Sequence, residues 1–211
     1  MKTFIIPLTF LALLVSTAAH AQEILTAEPR LSGRVQYAHN PGGGSGAMKF
    51  IDSPLPQPEI RIGPTRQPGI AMGALLAFKT TPAIRQHIAA GSRLELLIEV
   101  EGTSRGGAPA DLTVALLNTG TTDDMSSHVH FGAWNNAGNL AELGTIEADP
   151  EKGIHLFNIT EALREATLKP SEATPVIWFA VYLPEEKISV GEEGQHVILG
   201  GNPRIVIRPA R

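Results

Sequence analysis

The sequence predicts an all-β protein, a single jelly-roll β-sandwich of about ten antiparallel strands with one short helix at about residues 159–169. Three observations favour this fold. Short apolar or alternating segments recur along the chain, and 21 glycines and 16 prolines supply turns between them. Residues 93–101 alternate between apolar and mostly charged side chains, which is typical of a strand with one face in the core. Helical spacing is clear only between Asn158 and Pro170.

Residues 1–21 have the pattern of a secretory signal peptide. Lys2 supplies a positive charge, residues 3–18 are mostly apolar, and Ala19-His20-Ala21 is a small-x-small cleavage site. Cleavage there predicts a mature chain that starts at Gln22 and is secreted or periplasmic. Because no later apolar run is long enough to cross a bilayer, we expect no membrane span in the mature protein.

The composition limits the classes of partner. The chain has 21 acidic and 17 basic residues, and one basic residue lies in the signal peptide, so the mature net charge is about −5. This mild acidic balance argues against nucleic acid or an anionic membrane as a partner. The chain has no cysteine, so it cannot form a disulfide framework, and stability must come from burial.

After a flexible lead-in at residues 22–30, the sequence predicts one domain from residue 31 to residue 211. A loop with one helical turn is expected at residues 81–91, and a hairpin is expected around Gly200-Gly201-Asn202. Residues 140–148 lead back towards the strand at Gly153. Strands are predicted at residues 31–37, 47–51, 59–62, 72–78, 93–101, 112–117, 128–131, 153–157, 175–183, 195–199 and 204–208.

The other strands are expected to assemble around residues 175–183. This run is apolar on both faces, which predicts a strand in the middle of a sheet and covered from two sides. Just upstream, residues 153–157 place Ile154 and Leu156 on one face of a strand, and His155 and Phe157 on the other.

The helix that follows residues 153–157 has a clear start and stop signal. Asn158 is predicted to cap it, with Glu161 three residues later as in a capping box. Pro170 is predicted to end it.

The candidate binding residues lie in residues 118–139, a long polar and Gly-rich segment of the kind that often carries function. Trp134 could stack on a sugar ring while Asn135 and Asn136 hydrogen-bond its hydroxyls. The alternative is that Trp134 folds back onto the edge of the core. Tyr182 is a further candidate, because it can reach the rim of its strand with its hydroxyl.

Two sets of residues in the sequence suggest a metal site. His128 and His130 lie on one face of a predicted strand, with Asp124 just upstream, and two histidines with a carboxylate can bind zinc or a similar cation. The alternative is a surface strand whose histidines make local hydrogen bonds. A structural calcium is a second hypothesis, since carboxylates occur in loops, although five scattered acids are more often solvated. These acids are Asp52, Asp111, Asp123, Asp124 and Asp149.

Catalysis is the weaker class, and no catalytic residue is assigned. Glu99 and Glu101 share one face of a strand about 6.6 Å apart, a spacing seen in glycoside hydrolases, but alternating charge on a strand usually means a solvated face. The chain has no Gly-x-Ser-x-Gly motif, and without cysteine it has no thiol nucleophile.

The order of these features resembles the DNRLRE-type jelly-roll domains of secreted bacterial proteins, some of which are classed as carbohydrate-binding modules. The resemblance implies a jelly roll over most of residues 30–208. The chain lacks the arginine-flanked strand and the acidic residue that the family usually has near Phe78. The matching segments are residues 74–80, 92–98, 112–116, 155–163, 195–199 and 204–207.

The combined prediction is a secreted, non-catalytic β-sandwich that binds carbohydrate, with a polysaccharide or cell-surface glycan as its partner. A structural or adhesive protein of the cell envelope or matrix is the first alternative, and it would show self-association instead of sugar affinity. A polysaccharide lyase or hydrolase is the second. It would need a cleft that joins a carboxylate or histidine, such as Glu99, His128 or His130, to an arginine or tyrosine.

Overall fold

The computed structural model describes twelve stretches of the chain, which contain all the elements discussed below. The predicted signal peptide and the strand predicted at residues 128–131 lie outside them. The described residues are 25–27, 31–38, 49–50, 59–66, 70–79, 81–104, 110–117, 140–148, 150–168, 176–188, 194–200 and 202–208.

These residues form an all-β fold, which confirms the predicted class, and every strand pairing is antiparallel. The strands of the described part are β1 Leu25–Ala27, β2 Leu31–Ala38, β3 Lys49–Phe50, β4 Glu59–Pro64, β5 Ile70–Lys79, β6 Arg93–Thr103, β7 Leu112–Leu117, β8 Leu140–Ile146, β9 Gly153–Asn158, β10 Val176–Tyr182, β11 Val197–Gly200 and β12 Arg204–Arg208. The helices are α1 Pro82–Ala89, α2 Thr160–Leu168 and α3 Glu185–Ile188.

The strands belong to one curled sheet with two halves. In the first half, β6 pairs with β9 along one edge and with β12 and then β11 along the other, while β1 pairs with β12. In the second half, the order is β3, β2, β5, β10, β7 and β8. The strand β4 belongs to both halves, because its first residues pair with β11 and its last two pair with β5.

The strand β4 turns the corner between the halves at Gly63. This glycine has a φ of 155°, and a Cβ built on it would lie 2.1 Å from the backbone oxygen of Gln195. Only glycine allows the two backbones to approach this closely. The corner is therefore specified by one residue without a side chain.

The two halves share one hydrophobic core, to which buried side chains of both contribute. At the far side from the corner, β8 lies next to β9: a Cβ built on Gly144 would lie 3.3 Å from Cδ1 of Phe157. The inner face of the second half therefore includes Val114, which lies directly opposite Gly144. The more detailed jelly-roll arrangement of the sandwich stays a prediction.

The strand β10 lies in the middle of the second half, as its apolar sequence predicts. It pairs with β5 on one side and with β7 on the other. Its residues from Ile177 to Val181 are all buried, including the side chains of both faces. Phe179 packs edge-on against Phe78 of β5, with 5.7 Å between the ring centroids.

The helix α1 replaces the loop that was predicted at residues 81–91. Thr81 caps it, since the Thr81 hydroxyl accepts a hydrogen bond from the backbone N–H of Ile84, and Pro82 occupies its first turn. Ile84 and Ile88 are buried on one side of the helix. The prediction underestimated the segment because it contains only two strongly apolar positions at helical spacing.

The helix α2 is confirmed, but its start differs from the predicted capping box. Asn158 Oδ1 accepts a hydrogen bond from the Thr160 N–H at 3.1 Å, whereas Glu161 forms an ion pair with Arg164 at 2.7 Å. Thr160 also anchors the helix to β6, because its hydroxyl accepts from the N–H of Leu94 at 2.9 Å. Tertiary contacts with β6 therefore fix this helix start.

The predicted hairpin around residues 200–202 is wrong, because β11 and β12 follow the same edge of β6. Leu199 lies opposite Val100, and Arg204 lies opposite Leu97. The chain thus advances five residues while β6 advances three, which is a bulge between β11 and β12 and not a reversal of direction. Gly200 and Asn202 suit such a bulge as well as they suit a turn, and Pro203 has no N–H to donate to a strand partner.

None of the helices in the described stretches combines the length and the apolar character that a membrane crossing requires.

Candidate functional site

Six of the predicted site residues lie outside the described residues, and their roles stay predictions. They are the ligand-binding candidates Trp134, Asn135 and Asn136 and the metal-binding candidates Asp124, His128 and His130.

The structure does fix the base of the segment that carries these six residues. The strand β7 ends at Leu117 and β8 begins at Leu140, and these two residues lie directly opposite each other. Residues 118–139 therefore leave and rejoin the sheet at one place, at one end of β7 and β8. This connection is longer than most hairpin loops, and long loops held by a rigid sheet often carry binding residues.

Tyr182, the fourth predicted ligand-binding residue, is described and is half-buried at the end of β10. It lies opposite Thr113 of β7, which lies opposite Thr145 of β8. Directly opposite residues on neighbouring strands have their side chains on the same face, with Cβ atoms about 5 Å apart. Tyr182, Thr113 and Thr145 thus form a line of three hydroxyl-bearing side chains, which we call the hydroxyl row.

The hydroxyl row lies on the outer face of the sheet. Its member Thr113 is adjacent in sequence to Val114, which faces the core together with Gly144, and successive residues of a strand point to opposite faces. Thr145 is exposed, Tyr182 is half-buried and Thr113 is buried. Access to solvent therefore increases from β7 towards β8 and towards β10.

Trp178 shows where this outer face is closed. It shares a face with Tyr182 because the two are four residues apart on one strand, yet it is fully buried. Trp178 is therefore a residue of the hydrophobic core. Tyr182 is the position at which the same face of β10 becomes partly accessible.

The hydroxyl row and the base of residues 118–139 lie at different ends of the sheet. Trp178 pairs with Leu117, the last residue of β7, and Tyr182 lies four residues further along β10. This corresponds to about 13 Å along the strand. Residues 118–139 are long enough to span this distance, since an extended chain covers about 3.3 Å per residue. A shared site for Trp134 and Tyr182 requires this segment to extend back along the sheet.

The paired carboxylates Glu99 and Glu101 lie on the outer face of β6, and both are exposed. The pairing of β6 with β11 passes from Gly102 to Val100, so Glu101 is the extra residue of a β-bulge. The Glu99 side chain lies against the backbone of Gly200. This open setting fits the solvated face that the sequence favoured over a catalytic pair.

The calcium hypothesis can be compared with the structure only at Asp111. Its Oδ1 accepts a hydrogen bond from the N–H of Ala148 at 2.8 Å, which ties the start of β7 to the segment that follows β8. No group of three or more metal-binding side chains occurs within the described stretches. The other four acids of this hypothesis, Asp52, Asp123, Asp124 and Asp149, lie outside them.

His196 and Ser104 are close together but bind backbone groups. The His196 Nε2 lies 3.0 Å from the carbonyl oxygen of Pro64, and because a carbonyl only accepts, Nε2 carries the proton. The Ser104 hydroxyl accepts from the His196 N–H at 2.9 Å and donates to the carbonyl of Gly194. This pair therefore holds β11 and β6 to the corner next to Gly63 instead of forming a nucleophile and its base.

The outer face of β6 contains a buried carboxylate that the sequence pattern does not reveal. Glu95 belongs to the alternating charged residues of β6, a pattern that usually means a solvated face, but its side chain is only 4% exposed. Arg93 Nη2 and Arg208 Nε each lie 2.7 Å from one of its two oxygens. The spacing of Arg93 and Glu95 was visible in the sequence, whereas Arg208 joins them only because β12 pairs with β6.

The resemblance to DNRLRE-type domains stays a prediction. No protein-family model matches the chain, and a search of curated proteins finds none similar to it.

Proposed function

We propose that this protein is a secreted, non-catalytic carbohydrate-binding domain whose ligand is a polysaccharide or a cell-surface glycan. The observation that carries the proposal is the setting of Tyr182. This aromatic side chain is partly accessible at the end of β10, where Ile177 to Val181 are buried, and it lies in line with Thr113 and Thr145, of which Thr145 is exposed.

Such a row suits a sugar for two reasons. The face of a tyrosine ring can pack against the C–H groups of a pyranose, and hydroxyls beside the ring can exchange hydrogen bonds with sugar hydroxyls. A row that crosses three strands on a sheet surface also suits an extended chain better than a small molecule. Trp134, Asn135 and Asn136 would complete the site from the long connection between β7 and β8.

Binding without catalysis is favoured over a lyase or hydrolase by the setting of four of the described acids. Glu99 and Glu101 are exposed on an open sheet face, and both oxygens of Glu95 are occupied by arginines. Asp111 supports a backbone N–H. Each of these carboxylates is solvated or holds a structural contact, whereas the general acid of a glycoside hydrolase lies in a cleft beside the scissile bond.

A glycan array tests the proposal directly. We expect the purified mature protein to bind a restricted set of polysaccharides, and we expect Tyr182→Ala to lower this binding at least about tenfold, as the loss of one stacking residue does. Trp134→Ala tests the proposed contribution of residues 118–139 in the same way. Leu156→Ala is the matched control, because Leu156 is half-exposed on the other half of the sheet. An array without any binding would contradict the proposal.

A structural or adhesive role in the cell envelope is the second candidate, and one observation favours it. Ile154 and Leu156 are 60% and 45% exposed on β9, which pairs only with β6 in the part of the chain that the structure describes. Exposed apolar side chains on an edge strand are common at sites of self-association. Sedimentation of the mature protein separates the two roles, since this role predicts oligomers that Leu156→Ser dissociates.

A further inference from the structure

Arg93, Glu95 and Arg208 form an ion-pair network on the outer face of the first half of the sheet. Leu94 and Leu96 point into the core, so the alternating residues Arg93 and Glu95 point away from it. Arg208 lies directly opposite Arg93 on the neighbouring strand β12. Two like charges at directly opposite positions repel, and Glu95 offsets this repulsion by accepting from both.

Both carboxylate oxygens of Glu95 are occupied, whereas the two arginine side chains of the network are accessible to solvent. The buried Glu95 uses one oxygen for each arginine, whereas the side chains of Arg93 and Arg208 are 62% and 44% exposed. A guanidinium has five N–H donors, and the contacts to Glu95 use one nitrogen of each group. Most of the donors of both arginines therefore have no protein partner within the described residues.

The charge of this region differs from that of the whole protein. The full chain has a net charge of −4, but the network has two arginines for one glutamate. Arg204 adds a third positive charge on the same face of β12, and its buried Nε has no hydrogen-bond partner in the described part of the chain. The acids Glu99 and Glu101 lie further along β6, and Glu59 forms an ion pair with Arg61.

We propose that Arg93 and Arg208 form a binding site for an oxyanion, specifically the carboxylate or sulfate groups of an acidic polysaccharide. Glu95 holds both guanidinium groups in place before the ligand binds, so less side-chain entropy is lost on binding. Two planar guanidinium groups side by side match the oxygens of such a group through paired N–H donors. A lysine pair would not provide this geometry.

The site is separate from the hydroxyl row and does not rest on the proposed function. The row lies on β10, β7 and β8 in the second half of the sheet, whereas Arg93 and Arg208 lie on β6 and β12 in the first. Tyr182→Ala should therefore leave oxyanion binding unchanged. Likewise, Arg93→Gln should leave the binding of a neutral glycan unchanged.

Binding of the mature protein to immobilised dextran sulfate and polygalacturonate, with unmodified dextran as the neutral reference, tests the site. We expect binding to one or both acidic polymers that is at least about tenfold tighter than to dextran and that weakens with added salt. Arg93→Gln should weaken this binding at least about fivefold. Arg61→Gln is the matched control, because it removes the same charge from an exposed ion pair on β4, and it should change binding less than about twofold.

Two results would overturn the proposal. One is equal binding of wild type to the acidic polymers and to dextran. The other is an equal loss in Arg93→Gln and Arg61→Gln, which would show a general charge effect. If Arg93→Gln lowers the midpoint of thermal unfolding, Arg93→Lys is used in its place, because lysine keeps the charge. An unchanged affinity in Arg93→Lys would also contradict the paired geometry. Inorganic sulfate is then added as a competitor. Displacement of the polymer by sulfate at low millimolar concentration indicates a site for a free oxyanion. No displacement indicates a site for the polymer-bound group.

Discussion

Two strands that follow each other closely in the sequence, β9 and β10, have opposite roles in the sheet. The strand β10 pairs on both edges, and its side chains from Ile177 to Val181 are buried on both faces. The strand β9 pairs with β6 alone within the described residues, and it buries Phe157 but exposes Ile154 and Leu156. Both strands are rich in apolar residues, so apolar content alone does not distinguish them.

Their patterns do distinguish them. An uninterrupted apolar run such as Val176–Tyr182 needs cover on both faces, and only the middle of a sheet provides it. In β9, Phe157 shares its face with His155, and the opposite face carries Ile154 and Leu156. Only one face of this strand meets the core, and the burial of Phe157 against Gly144 shows which one. The comparison predicts that equal substitutions have very unequal effects in the two strands.

Phe179→Ala should have the largest effect. The Phe179 side chain is fully buried against Phe78 in the middle of the sheet, and its removal leaves a cavity that the neighbouring strands cannot close. We expect the free energy of unfolding to fall by about 3–5 kcal/mol in urea denaturation. A loss below about 1 kcal/mol would show that β10 is not a central strand.

Phe157→Ala should follow, with a loss of about 2–4 kcal/mol. Phe157 is the one buried side chain of β9, and it fills the space above Gly144 where the two halves of the sheet meet. The neighbouring substitution Leu156→Ala provides the control, with an expected loss below about 1 kcal/mol. Equal losses at the two positions would contradict the assignment of the inner face of β9.

Glu95→Gln tests whether the outer face of the first half is uniformly solvated. Glu95 lies opposite Asn158 of β9 on that face, yet it is buried and bound to two arginines. Its neutralisation leaves Arg93 and Arg208 opposite each other without a counter-charge, so we expect a loss of about 1–3 kcal/mol in thermal unfolding. Added salt should reduce this loss by screening the two arginines, and a loss that salt does not change would point to a packing effect instead.

Ile154→Ser should have the smallest effect on folding, within about 0.5 kcal/mol of wild type, because its side chain is already mostly in water. The same variant is informative for association. If β9 mediates self-association, Ile154→Ser lowers the oligomer fraction in sedimentation while stability stays constant. A large loss of stability would mean that β9 is covered on both faces.

Much of the fold could be predicted from local pattern. The strand β7 at residues 112–117 and β12 at residues 204–208 have the predicted bounds, and β10 has the predicted central position. These segments carry their signal in their own side chains. The helix α1 carries a weaker signal, because two buried isoleucines and a threonine cap are enough to form it once the sheet is present.

Long-range pairing could not be predicted in the same way. The Gly-Gly-Asn segment at residues 200–202 has the composition of a turn, but β6 offers a continuous edge along which β11 and β12 both pair. The burial of Glu95 likewise depends on Arg208, which is distant in sequence. At the candidate site, the aromatic character of Tyr182 was visible, whereas its alignment with Thr113 and Thr145 follows from the register of three strands.

Hydrogen exchange with and without a neutral polysaccharide selected by the glycan array tests the proposed function most directly. The proposal predicts slower exchange on binding in residues 140–148, which include Thr145, and in residues 118–139, and no change in residues 153–158 of β9. Slower exchange in β9 alone, or no change in any segment at saturating ligand, would contradict glycan binding at the hydroxyl row.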